Sequence, residues 1–191
     1  MKYVKYGRLN VSTENNATAP KDFDQIANEL CEQALYDAKT QLHPLLRHIE
    51  LKRLEKRSEF FQAFRLALER RIAGKLAAMQ GGRIQAVYRF EETRRRPGSW
   101  DGSIHLLLKV SRVSNTIQAM SKDLDDSLLK RLQQLGWSHF EEWQSVLEIQ
   151  QVTPKEIRRG ISYGAMFCAV YSKPIKVWPK KGSHEVDSTA H

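Results

Sequence analysis

Three consecutive arginines, Arg94, Arg95 and Arg96, stand close to Trp100 in a short polar stretch that also holds a Pro-Gly and an Asp-Gly pair. Guanidinium groups bind phosphate through paired hydrogen bonds, and an aromatic ring beside them can stack on an unpaired base. Both glycine-containing pairs favour turns, so we expect these side chains at an exposed loop tip. The segment therefore predicts a contact with a nucleic-acid backbone.

A second group of cations, Lys52, Arg53, Lys56 and Arg57, precedes this loop in a stretch with helical spacing. Phosphate backbones require several cations on one surface, although a charge run is equally typical of a solvated helix face. The whole chain carries 31 Lys and Arg against 22 Asp and Glu, a formal charge of +9. Such a surface attracts polyanions, so we expect binding to DNA or RNA without sequence specificity.

A catalytic alternative rests on five polar residues around the same loop: Glu91, Glu92, Asp101, His105 and Lys109. Carboxylates near a lysine across two strands can hold a divalent metal ion and activate water, as nucleases do. The position two before Lys109 is Leu107, where the common nuclease strand pattern has a carboxylate. No phosphate-binding glycine loop, nucleophile elbow, zinc-protease helix or paired-cysteine motif is present. The leading hypothesis is therefore non-catalytic, with no metal or other cofactor.

The composition favours one globular unit, since 191 residues with 41% hydrophobic side chains can bury one core. Cys31 and Cys168 are far apart in the sequence, and each is flanked by apolar residues, so they predict neither a zinc site nor a disulfide framework. No apolar run approaches the roughly 20 residues of a membrane span. We expect no transmembrane segment and a cytoplasmic protein, or a nuclear one in a eukaryote.

The pattern of polar and apolar residues divides the chain into a flexible segment (1–20), a helical region (21–80), an α+β region (81–178) that packs with the helices as one unit, and a polar tail (179–191). A capping box at Asp22 predicts a helix over about 23–40. An apolar stripe predicts a longer helix from Leu45 to about Met79, ended by two glycines. Phe60 and Phe61 belong to this stripe, and a surplus apolar edge there would suit self-association or a partner helix.

After these glycines the apolar period changes from 3.6 to 2, which predicts strands. The first strand is expected to place four residues on one face: Ile84, Ala86, Tyr88 and Phe90. The second is expected to do the same with Ile104, Leu106, Leu108 and Val110. Because the arginine loop joins them, the two strands predict an antiparallel hairpin.

Further capping signals predict helices in the second half of the chain. Ser121 is expected to cap a helix that ends at Gly136, and Ser138 with Glu141 to start another that includes Leu147. The turn between them resembles a helix-turn-helix, but the absence of Lys and Arg from Ser138 to Val152 favours a plain helical hairpin.

Two more elements are predicted near the carboxyl end. Thr153, Pro154 and Glu156 predict a short helix that ends near Arg159. The apolar stretch from Ile161 to Val177 predicts a strand, broken near Pro174, that returns to the hairpin.

These elements predict an α+β fold: long N-terminal helices, then a small antiparallel sheet of a hairpin and a C-terminal strand, with two or three short helices packed on it. The predicted function is that of a non-catalytic basic accessory protein that binds nucleic acid or a nucleoprotein mainly through phosphate contacts. The alternatives are a structural or regulatory module that binds a protein or an anionic membrane, and a metal-dependent nuclease.

Overall fold

A computed structural model describes residues 22–42, 49–54, 58–90, 103–137, 140–170 and 173–179. In chain order the elements are α1 (Phe23–Gln41), α2 (Leu51–Leu54), α3 (Ser58–Met79), β1 (Ile84–Arg89), β2 (Ile104–Val110), α4 (Asn115–Gln134), β3 (Leu147–Val152), α5 (Pro154–Arg159), a 3₁₀ helix (Ser162–Cys168) and β4 (Ile175–Trp178). The predicted α+β class is confirmed. The predicted flexible segment 1–20 and all of the predicted tail except Pro179 lie outside the described residues.

The four strands form one sheet in the order β3-β2-β1-β4. β1 pairs antiparallel with β2 and with β4, which confirms the hairpin and the returning strand. β3 instead pairs parallel to β2. The sheet is therefore mixed and not wholly antiparallel as predicted, because α4 carries the chain back across the sheet before β3 begins.

One face of the sheet, which we call the helical face, packs against α3 and α4, and the other is called the open face. The predicted inward set of β2, from Ile104 to Val110, lies in the core beneath these helices. The predicted phase of β1 is wrong beyond Ile84. The register shifts between Ile84 and Ala86, so Val87 joins the core while Tyr88 turns to the open face. Such a bulge inserts one residue and reverses the facing of those after it.

Helix α1 begins as predicted, since the Asp22 carboxylate accepts a hydrogen bond of 3.0 Å from the Gln25 amide. Small buried residues on α1 allow close packing against α3: Ala27, Ala34 and Ala38. Two ion pairs join the helices, Arg71 with Asp37 at 2.9 Å and Lys75 with Glu29 at 3.3 Å. Since the numbers rise along α3 as they fall along α1, the two helices are antiparallel.

The long helix predicted from Leu45 is confirmed over Ser58–Met79 by α3, and Leu51–Leu54 form the short α2. Residues 45–48 and 55–57 lie outside the described residues. Phe60 and Phe61 are 0% and 4% exposed, so the surplus apolar edge expected for a partner helix is absent at these two residues.

The helix predicted to start at Ser121 begins earlier, at Asn115, with Ser114 as its N-cap residue. Ser121 lies buried inside α4, where its hydroxyl donates to the carbonyl of Ile117 at 2.7 Å. A serine within a helix can satisfy its hydroxyl in this way, so the sequence alone does not distinguish an internal serine from an N-cap serine.

The helix predicted to start at Ser138 and to include Leu147 is wrong over the described residues from Phe140 onward, and with it the helical hairpin and the helix-turn-helix alternative. Residues 147–152 form strand β3, in which Leu147 and Ile149 are buried and Glu148 is exposed. The Asp125 carboxylate of α4 accepts hydrogen bonds of 2.8 Å from the amides of Val146 and Leu147. These hydrogen bonds and the pairing with β2 stabilise a strand here in place of the predicted helix.

The capping box that starts α5 is confirmed, with the Thr153 amide donating to the Glu156 carboxylate at 2.8 Å. The strand predicted from Ile161 to Val177 is wrong over its first half, which forms the 3₁₀ helix. Only the last residues form a strand, β4. Gly164 lies directly against the backbone of α5, a position that an extended chain would not give it.

Replacing Gly164 by alanine should therefore lower the free energy of unfolding by about 1–3 kcal/mol, because overpacking forces the backbone to shift. A Cβ atom at this position would lie 2.2 Å from the Glu156 carbonyl oxygen. Urea denaturation followed by circular dichroism measures the effect. Gly74→Ala is the matched control: nothing lies within 4 Å of its Cβ, so it should stabilise α3 by about 1 kcal/mol.

The two cysteines should differ sharply in reactivity. Cys31 is buried between α1 and α4, and this burial raises the pKa of its thiol to about 12, so the reactive thiolate is scarce at neutral pH. Cys168 is exposed. Titration with a thiol reagent at pH 8 should modify Cys168 at once and Cys31 only after unfolding. Equal rates for both cysteines in the folded protein would contradict this packing.

Candidate functional site

The two predicted cationic segments connect to the same end of the sheet. The chain reverses at Gly81 and Gly82 after α3, and β1 then runs back along that helix. At the end of β1, the Arg89 guanidinium lies 3.6 Å from the Glu69 carboxylate in the middle of α3. Since a helix rises about 1.5 Å per residue, Ser58 at the start of α3 lies about 16 Å beyond this level.

We call this edge the loop end of the sheet, where β1 stops at Arg89 and β2 begins at Ile104. The segment that contains the arginines leaves the sheet here after Phe90 and rejoins it at Ser103. Its base is closed by a hydrogen bond of 3.3 Å from the Phe90 amide to the His105 carbonyl. The start of α3 projects past the same edge.

Helix α2 is tied to this region through Leu54, which is fully buried. Only residues 55–57 separate it from Ser58, so their Cα atoms are at most about 14 Å apart. Its neighbour Arg53 is exposed to solvent. Anchoring of one side chain in the core thus presents the adjacent cation at the surface.

An aromatic cluster holds the projecting start of α3 in place. Trp137, which follows α4, is fully buried and makes edge-to-face ring contacts with Phe60, Phe61 and Phe64, at centroid distances of 6.0, 5.1 and 5.3 Å. Phe140 stacks on its other side at 5.9 Å. Such pairs are typical of well-packed cores. The loop end therefore has a rigid support.

The structure places the predicted nucleic-acid-binding residues unevenly. Lys52 belongs to α2 and Arg53 is exposed there. The remaining six lie outside the described residues: Lys56, Arg57, Arg94, Arg95, Arg96 and Trp100. What the structure defines is the scaffold from which both segments leave.

Of the four cations of α3, three are held in ion pairs, and the fourth, Arg70, is exposed. Arg65 pairs with Glu69 at 3.1 Å, and Arg71 and Lys75 pair with acidic residues of α1. The hydrogen bonds that the Arg71 guanidinium donates to the Asp37 carboxylate raise the pKa of Arg71 above its usual value. Because the carboxylates that pair with Arg71 and Lys75 belong to another helix, the sequence of α3 alone overstates its positive charge.

Two residues of the nuclease alternative, His105 and Lys109, lie on the open face of β2. The Nδ1 atom of His105 is 3.0 Å from the Glu148 carboxylate on β3, a residue that sequence reasoning placed in a helix. Glu91, Glu92 and Asp101 lie outside the described residues. Within the described ranges, no three His, Cys, Asp or Glu side chains are grouped closely enough to hold a metal ion.

Sequence reasoning did not single out Glu69, a buried carboxylate of α3. Glu69 is 2% exposed and is bracketed by Arg65 and Arg89, with a cavity of about 520 Å³ beside it, lined also by Arg70 and Ile175. In the sequence it resembles any surface glutamate spaced four residues from an arginine. Its ion pairs fasten α3 to β1 and so fix the loop end relative to the helix.

Comparison of the chain with protein-family models, with curated proteins and with solved structures finds no match. Among the described helices, none combines the length and the apolar composition that a membrane crossing requires.

Proposed function

We propose that this protein is a non-catalytic accessory protein that binds nucleic acid or a nucleoprotein through phosphate contacts at the loop end. The observation that supports this proposal is the common origin of its two cationic segments. The arginine loop leaves the sheet after Phe90, and α2 precedes the helix start at Ser58, which projects past the same edge. Cations from both segments would therefore meet one ligand.

The chemistry of the segments indicates the kind of complex. Arg94, Arg95, Arg96 and Arg53 would neutralise phosphates, and Trp100 would stack on an exposed base. None of this requires a particular base sequence, so affinity would come from charge and from the strand form of the ligand. This role would place the protein in the cytoplasm, or in the nucleus of a eukaryote.

The test is a salt titration. Binding of fluorescent single-stranded and duplex DNA and RNA is measured by anisotropy from about 50 to 300 mM salt. We expect affinity to fall steeply with salt, and the variant Arg94→Ala/Arg95→Ala/Arg96→Ala to lower the slope by up to about three.

The matched control removes the same charge elsewhere, as Arg83→Ala/Arg112→Ala/Lys122→Ala. Arg83 and Arg112 flank the opposite end of the hairpin, where the Ser111 amide donates to the Arg83 carbonyl at 3.3 Å. All three control cations are exposed. The control should keep the slope of the unmodified protein. Equal slopes for both triple variants would mean that overall charge, and not the loop end, drives binding.

A further inference from the structure

The segment that follows α5 is apolar in sequence but lies at the surface. Between Ile161 and Val170 only Gly164 is buried. Three large side chains stand out into solvent: Ile161 is 47% exposed, Tyr163 38% and Val170 80%. A run of this composition normally lies in a core, so its exposure marks an interaction surface.

This exposure is built into the fold. Gly164 is wedged against the backbone of Glu156 in α5. On its other side the Phe167 ring meets the Tyr88 ring edge to face at 4.9 Å, which holds the 3₁₀ helix on the open face of the sheet. The segment is thus fixed at two points, while Ile161, Tyr163 and Val170 stay exposed.

Exposed cations belong to the two elements that precede and follow this segment in the chain. Lys155, Arg158 and Arg159 belong to α5. Lys173 comes just before β4, and Lys176 lies within it. Lys176 is the strand partner of Tyr88, so both occupy the open face.

Acidic side chains nearby are already engaged. Glu156, the only acidic residue between Thr153 and Trp178, accepts hydrogen bonds from the amide and hydroxyl of Thr153. On the open face, Glu148 pairs with His105. The surface therefore combines projecting apolar groups with an excess of positive charge, since it has five exposed cations and these two carboxylates.

We propose that this surface docks the protein onto a bilayer that contains anionic phospholipids. Interfacial binding sites combine side chains that enter the headgroup region with Lys and Arg that attract anionic lipids. Ile161, Tyr163 and Val170 provide the first, and the cations of α5 and β4 provide the second. Side chains that project from a fixed scaffold suit a deformable lipid interface. Its residues differ from those of the proposed nucleic-acid interface, so it stands independently of the proposed nucleic-acid binding.

The test is co-sedimentation of the full chain with vesicles of phosphatidylcholine alone or with about one third phosphatidylserine. We expect binding only to the anionic vesicles. Arg158→Ala/Arg159→Ala should weaken it by about 25-fold, since each cation near such a surface contributes about fivefold. Val170→Ser and Ile161→Ser should also weaken it. Both serine variants alter exposed side chains, and their melting temperatures verify that the fold is retained.

Matched controls lie on the helical layer: Lys122→Ala/Lys130→Ala removes two exposed cations of α4, and Tyr36→Ser removes an aromatic ring that is 72% exposed on α1. Both should bind like the unmodified protein. Equal binding to neutral and anionic vesicles would overturn the proposal. So would loss of vesicle binding in the Arg94–Arg96 variant but not in the Arg158/Arg159 variant, or an effect of the latter confined to oligonucleotides.

Discussion

Trp137→Ala should lower the free energy of unfolding by about 3–5 kcal/mol, the usual cost of removing a large aromatic side chain from a core. Trp137 is fully buried and contacts rings on both sides, among them Phe64 of α3 and Phe140. The cavity left by alanine would deprive the start of α3 and the end of α4 of their common packing partner. Urea denaturation monitored by far-ultraviolet circular dichroism measures the loss.

The milder variant Trp137→Phe separates packing from polarity. Within the described residues, the indole Nε1 atom is buried and has no hydrogen-bond partner. Phenylalanine keeps much of the ring contact and removes this unsatisfied donor, so it should cost far less than alanine. Tyr36→Ala, at a ring that is 72% exposed, should change stability by less than about 0.5 kcal/mol. A Trp137→Ala protein as stable as the Tyr36 control would contradict the described core.

The second large effect is expected at Glu69. Replacing it by alanine should cost about 3–5 kcal/mol, because two partly buried guanidinium groups would lose their counter-ion. The side chains of Arg65 and Arg89 are 11% and 20% exposed, so water would compensate them only in part. The measurement is chemical denaturation of Glu69→Ala beside Glu69→Gln, which keeps the shape but removes the charge.

A surface carboxylate provides the comparison. Glu32 is 69% exposed and lies 3.7 Å from Arg131, and Glu32→Ala should cost no more than about 1 kcal/mol, as exposed ion pairs do. In the triple variant Arg65→Leu/Glu69→Leu/Arg89→Leu, all three charges leave together, so it should recover much of the stability. If Glu69→Ala and Glu32→Ala had the same small effect, the Glu69 site would be a solvated ion pair.

Elements specified by local chemistry were predictable from the sequence. The Asp22 cap, the glycine pair after α3 and the Thr153–Glu156 capping box each act through atoms a few residues apart, and α1, the end of α3 and α5 follow from them. The hairpin was predictable for the same reason, since its strands have a clear period of two.

Elements that depend on residues far away in the sequence were not predictable from it. The strand character of residues 147–152 comes from pairing with β2 and from Asp125, more than 20 residues earlier in the chain. The bulge after Ile84 reverses the facing of the rest of β1 by inserting one residue. The capping signal at Ser121 was misleading because this serine lies inside α4, where its hydroxyl donates to the Ile117 carbonyl.

The candidate site shows the same division. Arginines 94–96 were recognisable by type, but their relation to α2 depends on the direction of β1 along α3, which the Arg89–Glu69 pair fixes. The pairing of Arg71 and Lys75 with α1 was likewise not predictable, because their partners, Asp37 and Glu29, lie more than 30 residues away in the sequence.

Photo-crosslinking would test the nucleic-acid interface most directly. A single-stranded oligonucleotide that carries a photoreactive base is bound at low salt and irradiated, and mass spectrometry locates the modified peptides. The account predicts crosslinks to the segment between Phe90 and Ser103 and to the one that includes Arg53, and none to α1. Crosslinks confined to α5 and the 3₁₀ helix, or spread evenly over the surface, would contradict it.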